Sequence, residues 1–119
     1  MANELTLTAS LAFSKGEFSA LMNKTGIQLD VAGEDYIEMS QLVTTSEAAL
    51  DLGGVTTGGY LLMFNPDTTN FVEIRSGTGI ADCVKIPAGG VALFMLASAA
   101  PFIISDTGSV RVSYLLIEA

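Results

Sequence analysis

Thirteen carboxylates, one thiol and no imidazole are what this 119-residue chain offers to chemistry. Without histidine it can build neither a Ser-His-Asp nor a Cys-His nucleophile, and it lacks the commonest general base. Of the acids, Glu34-Asp35, Asp67, Asp82 and Asp106 fall in turn-like segments. A glycosidase needs two carboxyls about 5–10 Å apart across a cleft, and nothing in the sequence marks such a pair. The preference of Asp for turns accounts for these positions as solvated loop acids. A calcium loop would need a dense D-x-D-x-D-G ladder, which is absent. Cys83 is the only cysteine, which excludes an intramolecular disulfide and a four-thiolate zinc site. Its apolar neighbours predict a small core residue. The glycines of GGVTTGG, residues 53–59, lack the Gly-Lys-Ser/Thr ending of a phosphate loop and lead into a strand pattern, so they predict a flexible loop. Tyr36, Tyr60 and Tyr114 are the candidates for a sugar-binding face, although tyrosine is also a common strand residue. The sequence therefore predicts a non-enzyme with no cofactor and no metal.

The elements that position these residues read as short strands. Leu5, Leu7, Ala9, Leu11 and Phe13 are apolar, while Thr6, Thr8, Ser10 and Ser14 fill the gaps, which predicts a strand with one buried face. Residues 17–25 are ambiguous between a helical turn and a strand, and residues 27–31 alternate again. Further strands are predicted over 36–44, 48–52, 60–65, 71–75, 83–86, 91–97, 102–104 and 110–118, with turn signals about every 8–12 residues. The segment GYLLMFNPDTTNFVEIR, residues 59–75, reads as a hairpin whose polar turn is set by Pro66 and Asp67. No long helix and no internal repeat is evident. The expected fold is all-β, one domain over residues 1–119, a two-sheet antiparallel sandwich of jelly-roll type.

Half the chain is apolar and only 15% is charged, with a mean hydropathy of +0.51. A small domain cannot hide that much apolar surface easily, because its surface-to-volume ratio is high. Large uncovered patches mark interaction sites. Strands 91–97 and 110–118 carry apolar residues on both faces, whereas the outer face of an isolated sandwich should be polar. A homo-oligomer, trimer or dimer, is the first expectation. The net charge is -8, and the five basic residues are scattered. No basic stripe exists to neutralise phosphates, so nucleic acid and anionic membrane are disfavoured as partners. The N-terminus lacks the basic and apolar regions of a signal peptide. Residues 91–104, interrupted at Ser98 and Pro101, are too few to span a bilayer as a helix.

Three segments then resemble small virion proteins of tailed bacteriophages: LDLGGVTTGGYLLMFNPDTTNFVEI, VKIPAGGVALFMLAS and VRVSYLLIEA. In that family a Gly-Tyr strand runs to an Asn-x-Asp turn followed by Asn-aromatic-Val-Glu. A Lys-x-x-Ala/Pro-Gly segment precedes an apolar strand, and a Tyr-Leu-x-x-Glu strand closes the chain. The matching positions are Gly59, Tyr60, Asn65, Asp67, Asn70, Val72, Glu73, Lys85, Gly89, Leu93, Tyr114, Leu115 and Glu118. The likeness covers about the C-terminal two-thirds. It implies a capsid decoration (cement) protein on the virion exterior, made in the host cytoplasm, with the major capsid protein as partner. A tail, neck or fibre component, or a carbohydrate-binding module, is the alternative. The expected contact residues are Asp67, Thr68, Thr69 and Asn70 in the turn, with Phe94, Leu96, Leu115 and Ile117 on the doubly apolar strands.

Overall fold

A glycine at φ 59°, Gly16, opens the two-residue turn that joins β1 (Leu5–Lys15) to β2 (Phe18–Leu29). Positive φ at the first turn position suits the primed turns that match strand twist. The computed structural model describes residues 4–79, 81–97 and 100–119; the start of the N-terminal segment and the interruption at Ser98 lie outside them. By its contacts the chain divides into two compact units, Met1–Ala32 and Gly33–Ala119.

The first unit is the antiparallel β1–β2 ribbon. Of its ambiguous stretch, residues 17–25, Glu17 lies in the turn and the rest is strand. Apolar positions in β2 change parity, from Phe18, Ala20 and Met22 to Ile27 and Leu29. The register shift falls between the Leu7–Ile27 and Ala9–Lys24 pairs, where Gly26 has φ 65°. A bulge with glycine in the left-handed region absorbs the extra residue. One face therefore carries an apolar residue in every rung, Leu7/Ile27, Ala9/Lys24, Leu11/Met22, Phe13/Ala20 and Lys15/Phe18, with a lysine in two of them. That face was expected to be buried. Instead Leu5 is buried, whereas Leu11 and Phe18 are each 76% exposed and Met22 66%. Alternation correctly predicted the strand, but it carries no information about what covers it.

Among its described residues the second unit contains eight strands: β3 (Tyr36–Val43), β4 (Ala48–Ala49), β5 (Gly58–Phe64), β6 (Val72–Arg75), β7 (Asp82–Ile86), β8 (Val91–Met95), β9 (Phe102–Ser105) and β10 (Val110–Glu118). They form two four-stranded antiparallel sheets, ordered β3-β10-β5-β8 and β4-β9-β6-β7. No helix occurs among the described residues. Both sheets feed one core: Val43, Leu61, Met63, Val112 and Leu116 from the first, Val72, Ile74, Ile86 and Ile103 from the second.

The segment 59–75 is not a hairpin. β5 pairs with β10 and β8, and β6 pairs with β7 and β9, so residues 65–71 are an arch that carries the chain from one sheet to the other. Asn65, fully buried, holds the arch. Its Nδ2 donates to the carbonyls of Asn70 at 3.0 Å and Ile86 at 3.1 Å, and its Oδ1 accepts from the Asp67 N–H at 3.0 Å. The Asp67 carboxylate accepts from the N–H groups of Thr69 at 3.0 Å and Asn70 at 2.6 Å. Such side-chain bonds give the backbone partners that a ladder would otherwise supply.

Gly58 and Gly59 are not loop residues either; both are buried in β5. A Cβ on Gly59 would lie 2.8 Å from the Ile117 carbonyl oxygen. Cys83 departs from expectation too. It is exposed, in the register shift where Ile74 pairs with Val84 and Arg75 with Asp82, and its Sγ lies 3.2 Å from the Ile74 carbonyl.

Candidate interaction surface

The two sheets of the second unit present opposite chemistry on their outer faces. On β4-β9-β6-β7, Glu73 stands opposite Lys85, and Arg75 opposite Asp82. Arg75 is paired with both Asp82 and Glu47, the latter at 2.7 Å, while Lys85 lies 4.1 Å from the centre of the Phe71 ring. Half-buried Ile104 and Phe102 of β9 stand opposite Glu73 and Arg75, so the charges share this face with two apolar side chains.

The outer face of β3-β10-β5-β8 is apolar instead. The ladders set Glu38, Leu115, Leu62 and Leu93 in one row across the four strands, and Ser40, Ser113, Phe64 and Val91 in the next. Ile117 stands opposite Tyr36, and Met95 opposite Tyr60. Val91 is 61% exposed, Met95 53% and Leu62 43%. Small Ser40 and Ser113 between larger neighbours leave a shallow trough of about 560 Å³ lined by Glu38, Leu62, Phe64, Val91 and Leu115. Transfer of apolar area from water is worth about 25 cal/mol per Å², so covering this face is favourable for any partner of matching shape. One anion and one cation, Glu38 and Arg111, are the charges on it.

The expected contact residues divide between this face and the interior. Leu115 and Ile117 belong to it, both half-buried. Phe94 and Leu96 do not. Leu96 is 9% exposed and part of the core, and Phe94 packs against that core. The strand reads Val-Ala-Leu-Phe-Met-Leu, so both of its faces are apolar and composition cannot tell them apart. The register with β5 decides, turning Val91, Leu93 and Met95 outward. In the arch, Asp67 is spent on internal hydrogen bonds and Asn70 is half-buried, with its Oδ1 accepting from Thr107 at 2.9 Å. Thr68 and Thr69 are exposed.

The tyrosines separate in the same way. Tyr114 is buried, and its hydroxyl bonds to the Asp51 carbonyl and, at 3.3 Å, to Gln41 Oε1. Burial pushes that hydroxyl well above its usual pKa. Tyr114 thus ties β10 to the segment after β4 and cannot line a sugar-binding face. Tyr36 is exposed and Tyr60 half-buried.

Comparison with protein-family models, characterised proteins and solved structures returns no match. The chemistry of the surface must therefore be read from its residues. Among the described residues no group of three or more His, Cys, Asp or Glu is placed to hold a metal ion.

Three carboxylates do give the second unit a pH dependence. Glu47 is held below its usual pKa by the Arg75 guanidinium and the Gly79 N–H. Asp67 is lowered by the N–H groups of Asn70 and Thr69, and Glu118 by the Thr56 hydroxyl and the Glu34 N–H. A carboxyl depressed in the folded state contributes stability that is present above its unfolded pKa, near 4, and is lost as pH falls through the folded value. Glu73 is raised, by desolvation first and Asp82 second, and works in the opposite sense. Three against one, the expected result is a melting temperature that is level from pH 7 to about 5 and falls below about pH 4. Asp67→Asn should reduce that fall. A melting temperature that rose on acidification would contradict the assignment.

Proposed function

We propose that this chain is a structural virion protein that binds the outer surface of a bacteriophage capsid and stabilises it, assembling as a homo-oligomer against the major capsid protein. The observation that carries the reading is the bare apolar face of β3-β10-β5-β8, set against a charged face on the sheet behind it. A domain with one greasy and one solvated side suits a shell exterior: one side meets subunits, the other meets water. The acidity of the second unit, three cations against ten carboxylates, suits a site remote from packaged DNA.

We read the winding of the second unit as a jelly roll. β6–β7 is an inner hairpin, and the pairs β5–β8, β4–β9 and β3–β10 nest outside it in turn, alternating between the two sheets. A long antiparallel ribbon folded over on itself produces this order.

The test is binding of the purified chain to capsids assembled without it, followed by electron microscopy and by the temperature at which the shells rupture. Wild-type protein should decorate the shells at micromolar concentration and raise that temperature. Leu62→Asp with Leu93→Asp should lower the affinity at least about tenfold, because two charges would lose water at the contact. Both positions are exposed but stand directly opposite each other, so each single aspartate variant, free of that like-charge pair, should show the loss with folding little changed. A wild-type chain that leaves such shells bare, or attaches only to tails, would overturn the reading.

A further inference from the structure

We infer that the β1–β2 ribbon is a self-association element, and that two copies pair their ribbons face to face and antiparallel across a two-fold axis. The inference uses the first unit alone and does not depend on binding to a shell.

An isolated two-stranded ribbon is marginal in water and needs a third layer or strand to be stable. This one holds Leu11, Phe13, Phe18 and Met22 bare on one face, while the other face, apart from Ala12 and the exposed Leu21, is mostly Ser, Thr, Asn and Gln. Its cover must match an apolar strip about 35–40 Å long, given the rise per strand residue. A second ribbon has that length and chemistry. Electrostatics favours the same occupant. The second unit carries -7, so two copies meeting through those units oppose like charges, whereas the first unit carries only -1, with Lys15 and Lys24 against Glu4, Glu17 and Asp30. The face offers roughly 500 Å² per copy, so a pair buries about 1,000 Å², at the threshold for a specific contact.

The register selects the antiparallel arrangement. The four rungs nearest the turn, from Ala9/Lys24 to Lys15/Phe18, are spaced evenly about the level of Ala12 and Leu21. With the axis at that level, Ala20 of one copy lies under Met22 of the other, small against large. Phe18 and the turn residue Glu17 come over the partner copy's Lys24, an aromatic ring and a carboxylate for one ammonium. Parallel stacking would instead bring the two turns together, Glu17 on Glu17, and leave Lys24 without an acid.

Sedimentation equilibrium of the full chain across the micromolar range tests this. Wild type should be a reversible monomer–dimer. Leu11→Asp and Glu17→Lys should each weaken the dimer about tenfold or more, and Glu17→Lys combined with Lys24→Glu should return it to within about threefold of wild type. Because the double swap restores the contact with the same residue types, its recovery separates a lost contact from a misfolded ribbon. The inference is overturned if wild type stays monomeric, if association ignores Glu17→Lys, if the double variant remains as weak as the single, or if the complex has three-fold symmetry.

Discussion

Replacing Asn65 by alanine is expected to cost about 3 kcal/mol of folding stability, a drop of roughly 10–15 °C in melting temperature. The side chain is fully buried and makes three hydrogen bonds, two donated to the carbonyls of Asn70 and Ile86 and one accepted from the Asp67 N–H. The Ile86 bond is itself buried, so that carbonyl gains no water when its donor is removed. An unsatisfied buried group costs about 1–3 kcal/mol, whereas an exposed bond costs little. Asn65→Asp separates this account from a simple backbone preference. Aspartate suits the same turn conformations and keeps the acceptor for Asp67, but it would set a carboxylate against two carbonyl oxygens. It should be at least as damaging as alanine. Thermal and urea unfolding of the three proteins decide, and an aspartate variant close to wild type would refute the role given to Nδ2.

Gly59→Ala is the second large effect, again about 3 kcal/mol, while Gly58→Ala should cost about 1 kcal/mol or less. The two residues are adjacent and both buried, so burial alone would not rank them. What lies beyond the missing Cβ does. At Gly59 it would meet only backbone: the Ile117 oxygen at 2.8 Å and the Cα and N of Ala119 at 3.0 Å. That backbone is tethered, because the Glu118 and Ala119 N–H groups donate to the carbonyls of Asp35 and Thr57, and the Glu118 carboxylate accepts from Thr56 and Glu34. At Gly58 the nearest atom is Leu96 Cδ1 at 2.7 Å, the end of a flexible side chain that can turn aside. Equal losses in the two variants would mean that the C-terminal strand yields more readily than its hydrogen bonds imply.

Both effects sit at the places where reading along the chain was least informative. Asn65-Pro66-Asp67 announces a turn, and a turn between two strand patterns suggests a hairpin. The same residues serve an arch equally well, since Asx bonding concerns the next few residues and not which sheet the following strand joins. The choice belongs to the partners, β10 and β8 for β5, β7 and β9 for β6, which lie up to 60 residues away, as in the pair Glu118–Gly58. Gly58-Gly59 likewise resembles a loop until the C-terminus is placed against it.

The sequence by itself determined that the chain would be strand after strand, because a period of two and regular turn signals are local properties of the polymer. It also determined the excess of apolar side chains and the absence of any histidine. Tertiary structure decided which faces those strands show. In Val91–Met95 every residue is apolar, and only the register with β5 sends Phe94 toward the core and leaves Leu93 in the open; in Leu5–Lys15 the alternation is satisfied equally by a face turned inward or outward, and Leu11 stays in the open. Hydrophobic burial has no direction along the chain; it acts through whatever surface comes to lie opposite.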